Sequence, residues 1–166
     1  MGKRKYNLDD LIKYSPWPLR LLGFEDFQKK SKTQKELDRE YDKQKWSVLL
    51  KTVLRLKNKA RLKDVEKAFF GNTKTLTYAD GEFVLKSATA GQQEGKRRIS
   101  DVILDHFKNS TSLVELGCGY GSIIIYLAKK RQFKHIKIFG AEKSKNGRRL
   151  TRIISKNEGV KIKIIN

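Results

Sequence analysis

Cysteine, histidine and proline are scarce: the 166 residues include one cysteine, Cys118, two histidines and two prolines. A lone cysteine excludes an internal disulfide. With only two histidines beside it, no Cys/His cluster has metal-ligand spacing, so no metal is expected. The opening residues, M-G-K-R-K-Y-N-L-D-D, lack an apolar leader. No apolar run approaches the roughly 18 residues that cross a bilayer. The expectation from these absences is a cytoplasmic protein with no membrane span. Acidic residues are few as well, 18 against 38 basic ones, for a formal charge of +20. The basic excess is spread along the whole chain. A field of that sign attracts polyanions, and nucleic acid is the obvious one. There is, however, no arginine-and-glycine tract and no platform of interleaved basic and aromatic residues. Solvated lysine faces are therefore favoured over a nucleic-acid partner.

What is present divides into two parts. Residues 1–90 read as a mainly helical N-terminal extension with a β-hairpin. Y14-S-P-W-P-L-R-L-L-G23 carries two prolines around Trp17, which prevents a helix and suggests an arm laid on a surface. Thr33-Gln34-Lys35-Glu36 matches a capping box and opens a helix. Leu37, Tyr41, Leu49, Val53 and Leu56 recur at helical spacing with Trp46 beside them, so about 34–57 should bury one face. A second helix near 60–70 would present Leu62, Val65, Phe69 and Phe70. Two β-prone runs flank Asp80-Gly81, a dipeptide suited to a tight hairpin turn. S87-A-T-A-G-Q-Q-E-G95 is small and polar, as a loop would be. It leads into a helix whose stripe is Ile99, Val102, Ile103, His106 and Phe107.

Residues 91–166 alternate in period. L113-V-E-L116, H135-I-K-I-F-G-A141 and V160-K-I-K-I-I165 read as strands, separated by helices over 122–131 and 146–156. The expected fold is α/β, a Rossmann-like β-α-β-α-β parallel sheet with right-handed crossovers and its ligand site at the carboxyl ends of the strands. Gly117, Gly119 and Gly121 form the first strand-to-helix turn, where a backbone without side chains can lie close to a ligand and present helix N-terminal amides to it. Glu142 ends the second strand, where an acid can accept both hydroxyls of a ribose. Together these residues point to a nucleoside ligand.

Val114 to Ser122, V-E-L-G-C-G-Y-G-S, resembles motif I of the class I S-adenosylmethionine-dependent methyltransferases, with Glu115, Gly117, Gly119 and Gly121 on its acid and glycine positions. A dinucleotide-binding oxidoreductase would want glycine or alanine at Ser122 and no acid at 115. The resemblance covers about 70 positions, from near residue 95 to the end. It implies that Glu142 clamps the ribose of S-adenosylmethionine. It also implies that the backbone from Gly117 through Cys118, Gly119 and Tyr120 to Gly121 lies along the methionine and ribose. Glu115 would lie near the amino group, and Lys143 and Ser144 would border the adenine. The family's sheet has seven strands, and only the first three have counterparts here. The sequence thus reads as the N-terminal, cofactor-binding part of a methyltransferase whose first strand, with one open edge, is covered by a second copy or a complementary chain. No general base is identifiable. The competing reading is a noncatalytic basic adaptor that keeps half of the fold to bind RNA or a protein.

Overall fold

The computed structural model describes Asp10 and residues 33–79, 81–107 and 109–166. The arm around Trp17 and the turn residue Asp80 lie outside the described residues. The described chain gathers into two compact units, residues 70–95 in one and residues 33–69 with 96–166 in the other.

The smaller unit is built on the hairpin. Strands β1 (Lys74–Ala79) and β2 (Glu82–Ser87) pair antiparallel, with Ala79 opposite Glu82. A two-residue turn joins them, and Gly81 takes a φ of +83° that a side chain would resist. The segment expected to be a loop is helical instead, because α4 runs from Ala88 to His106. Its first turns are rich in alanine, glutamine and glutamate, all good helix formers, and the Ser87 hydroxyl accepts from the Ala90 amide at 3.2 Å. Glycine is required at 91, where a Cβ would come within 2.7 Å of the Thr75 methyl.

The larger unit is mixed α/β. Its sheet is three-stranded and parallel, in the order β3 (Ser112–Leu116), β4 (Lys137–Ala141), β5 (Lys163–Ile165). That pattern is compatible with half of a Rossmann-like fold. Helices α5 (Ser122–Lys129) and α6 (Lys145–Asn157) connect the strands. Before them come α1 (Gln34–Arg39), a π-helical segment (Glu40–Trp46), α2 (Ser47–Arg55) and α3 (Leu62–Phe70). The Thr33 hydroxyl accepts from the Glu36 amide while the Glu36 carboxylate accepts from the Thr33 amide, completing the capping box that starts α1.

Two apolar clusters hold this unit. In one, Trp46, Leu49, Leu50 and Val53 pack with Leu62, Val65, Tyr120, Ile125, Leu150 and Ile154. The N-terminal helices therefore share a core with α5 and α6. In the other, Ile103 and Leu104 of α4 and Leu113 of β3 pack on Ile124, Leu127, Phe133 and Ile138. The face of α4 turned inward carries Lys96, Ser100, Ile103 and Leu104, whereas Ile99, Val102 and Phe107 of the expected stripe are exposed. The reason is an ion pair: Lys96 reaches the Glu66 carboxylate of α3 at 2.5 Å, and both side chains are sealed from solvent. On β3, Val114 and Leu116 face away from the helices and are 51% and 81% exposed. No helix among the described residues is long and apolar enough to cross a membrane.

Candidate functional site

The turn after β3 and the residues after β4 meet at the carboxyl ends of the two strands. Register places Glu115 opposite Gly140 and Leu116 opposite Ala141. The Cys118 amide then donates to the Ala141 carbonyl at 3.0 Å, which ties the turn to the end of β4. Gly117, Gly119 and Gly121 all adopt positive φ, at +68°, +56° and +80°. Their surroundings differ. A Cβ on Gly117 would meet nothing within 4 Å. One on Gly119 would lie 2.9 Å from the Trp46 ring, and one on Gly121 would lie 2.5 Å from the Thr151 methyl. Only Gly117 opens onto space, while the other two accommodate neighbouring side chains.

Glu142 is buried, and both of its oxygens are engaged. The Gly119 amide donates to one at 2.7 Å and the Ser144 amide to the other at 2.6 Å. Ser144 caps α6 by accepting from the Gly147 amide at 3.0 Å. The π-helical segment lies over these same residues. Asp42 accepts from the Ser144 hydroxyl at 2.6 Å and from the Asn146 amide at 2.9 Å, and Lys143 reaches Asp38 at 2.7 Å. Burial raises the Asp42 carboxyl, but the Asn146 amide and Ser144 hydroxyl outweigh it and hold the group below its ordinary range. Trp46 completes the cover. Its ring packs edge-on against Tyr120 at 5.7 Å between centroids and lies 6.3 Å from Phe69. The buried indole N–H has no partner among the described residues.

Glu115 lies beneath the turn. One of its carboxyl oxygens is buried with no hydrogen-bond partner among the described residues. Burial pushes the group up to about 7, against a donation from the Ile124 backbone; the nearby Glu142 adds to the rise. Burial also raises the Cys118 thiol and the Tyr120 phenol, each to about 12, so neither is a nucleophile or base near neutrality. An unanswered buried acceptor suits a cationic or hydrogen-bonding ligand group. Among the described residues no group of three His, Cys, Asp or Glu side chains could hold a metal ion.

The Glu115 environment has a pH signature. Below its ordinary value of 4.5 the carboxyl is neutral folded or unfolded, and burial costs nothing extra. Between 4.5 and about 7 the unfolded chain releases the proton while the fold retains it, so stability falls as pH rises, and the loss is complete above that range. Glu115→Gln removes the titration. The melting-temperature difference, variant minus native, is expected to grow from pH 4.5 to 7.5, by an amount equivalent to at most about 3 kcal/mol. A difference that stays constant over that range would mean that Glu115 is not desolvated.

The sequence-derived residues Glu115, Gly117, Cys118, Gly119, Tyr120, Gly121, Glu142, Lys143 and Ser144 thus converge at one end of the sheet. Sequence reasoning did not anticipate Asp38, Asp42 and Trp46 over them. The i, i+4, i+8 spacing of these three puts them on one face of a helix, but it does not name what that face covers. A scan against protein-family models finds no match to this chain, and a search of curated proteins finds none either.

Proposed function

We propose that the protein binds S-adenosylmethionine at the glycine turn and carries the cofactor-binding part of a methyltransferase. The observation that carries this reading is the convergence of Glu142 with the Gly117–Gly121 turn above the unpartnered Glu115 oxygen. The two halves of the site fit the cofactor unequally. On the methionine side, Gly117 is open and Glu115 offers an unanswered acceptor for the amino group. On the ribose side, Glu142 is closed onto Gly119 and Ser144, and Trp46 covers the turn. Binding therefore requires Glu142 to exchange two backbone donors for the ribose hydroxyls as the 40–46 segment lifts.

The cofactor supplies an electrophilic methyl on a sulfonium. The chain contributes position: backbone along the methionine, an acceptor at the amino group and a carboxylate at the ribose. Calorimetric titration with S-adenosylhomocysteine, alongside NAD, tests the reading. Glu142→Ala is expected to weaken binding by about 1.5 to 3 kcal/mol, the range for hydrogen bonds to a charged group. Unchanged affinity, or a preference for NAD, would refute it. The same reading gives the open edge and exposed face of β3 a cover, a second copy or a complementary chain, since exposed apolar surface of this kind favours association. The basic charge opposes self-association, so sedimentation should detect larger species as salt rises. A monomer at every salt concentration would leave the edge without that cover.

A further inference from the structure

Helix α6 carries Lys145, Arg148, Arg149, Arg152 and Lys156 and no acidic residue. Four of these, Lys145, Arg149, Arg152 and Lys156, stand at i, i+4, i+7 and i+11, and all four are exposed. That spacing aligns them in one straight row about 17 Å long. The opposite face of the helix is core, with Leu150, Thr151 and Ile154 fully buried.

The row continues past the end of the helix. The Asn157 side-chain amide donates to the Asn58 and Ala60 carbonyls at 2.6 and 2.8 Å, fastening the preceding loop to the helix. Lys57 and Asn58 hold left-handed backbone, with φ of 51° and 58°, and the exposed Lys57 and Lys59 flank the fastened carbonyl. The neighbouring acids are already satisfied. Glu158 pairs with Lys129 and accepts from the Leu62 amide, and Asp64 accepts from the Arg61 amide.

Four cations elsewhere in this unit meet carboxylates: Lys45 with Glu40, Lys96 with Glu66, Arg97 with Asp101 and Lys143 with Asp38. The six cations of the row and its loop have no carboxylate partner among the described residues. No carboxylate stands on the helix to interleave with the row.

We propose that this row and the Lys57–Lys59 loop form a docking surface for the phosphate backbone of a single-stranded nucleic acid. A flexible single strand can lay successive phosphates along a straight row. A lipid surface fits less well, because an interfacial helix needs an apolar face to insert and the apolar face of α6 is spent on the core. The surface is independent of the cofactor reading and does not require it.

The test is fluorescence anisotropy with an oligouridine 20-mer across a salt series. The intact chain is compared with the variant Lys145→Gln, Arg149→Gln, Arg152→Gln, Lys156→Gln and with a charge-matched control, Arg131→Gln, Lys134→Gln, Lys137→Gln, Lys161→Gln. Glutamine retains helix propensity, and circular dichroism verifies folding. The row variant is expected to lose about 30-fold or more in affinity at 0.1 M salt and roughly 2 to 3 in the slope of log affinity against log salt. The control should change affinity less than about 3-fold. A matching single-stranded DNA binding as well as the RNA supports backbone recognition. Equal losses in both variants, no binding by the intact chain, or tighter binding to duplex or to phosphatidylserine vesicles would each overturn the proposal.

Discussion

Replacing Glu66 by glutamine, or Lys96 by methionine, is expected to lower stability by about 3 to 5 kcal/mol, the cost of leaving one member of a buried ion pair without its partner. For a chain of this size that is a fall of about 6 to 20 °C in melting temperature. Both side chains are out of contact with water, and their 2.5 Å approach is joined by the Ser122 hydroxyl, which donates to the same Glu66 oxygen at 2.7 Å. The Lys96 ammonium also lies 5.5 Å from the centre of the Tyr126 ring. Removing one charge strands the other, whereas removing both strands neither. The double variant Glu66→Met, Lys96→Met should therefore recover most of the loss. Calorimetric melting of the two single variants and the double variant measures this directly. A double variant as unstable as the sum of the singles would show that the pair does not act as a unit. Ser122 opens α5 immediately after the glycine turn, so the single variants should also loosen the candidate site.

The second large effect is at Trp46. Truncation to alanine removes a buried indole that contacts Tyr120 and Phe69 and fills the space a side chain at 119 would take. The expected cost is about 3 to 5 kcal/mol. Trp46→Phe, which keeps an aromatic ring, should cost much less and serves as the partner variant. In the proposed function the two changes act oppositely on the ligand. The indole stands over the turn and its buried N–H gains no hydrogen bond there, so shrinking it lowers the cost of lifting the segment. S-adenosylhomocysteine affinity per folded molecule should rise in Trp46→Ala even as the melting temperature falls. Unchanged stability would mean that the indole does not pack on the turn. Reduced affinity would mean that it supports the ligand rather than covering it.

Local elements were readable because local rules produce them. Thr33 and Glu36 satisfy each other's amides within one turn, Asp80-Gly81 separates two β-prone runs, and the period changes from 2 to 3.6 after residue 121. The loop expectation over 87–95 fails because polarity alone does not distinguish loop from helix, and alanine, glutamine and glutamate favour a helix. The stripe on α4 was misplaced for a different reason. Hydrophobic periodicity assumes that a lysine faces water, and Lys96 turns the helix inward because its partner lies 30 residues away in sequence on α3. The cover on the glycine turn was hidden in the same way. Periodicity identified a face containing Trp46, but nothing within the segment specifies that this face closes on residues 119 and 142–146.

The π-helical stretch Glu40–Trp46 has a mechanical consequence. It sits between two α-helical lengths and makes one unbroken rod from Gln34 to Arg55. A wide turn of this kind holds a residue more than an α-turn would, and α-helical winding advances about 100° per residue. Each residue taken up in rewinding would turn α1 by that angle about the rod while α2 stays clamped by Leu49, Leu50 and Val53. Asp38 and Asp42 hold Lys143, Ser144 and Asn146 only in the wide winding, so rewinding would move both carboxylates off those partners together.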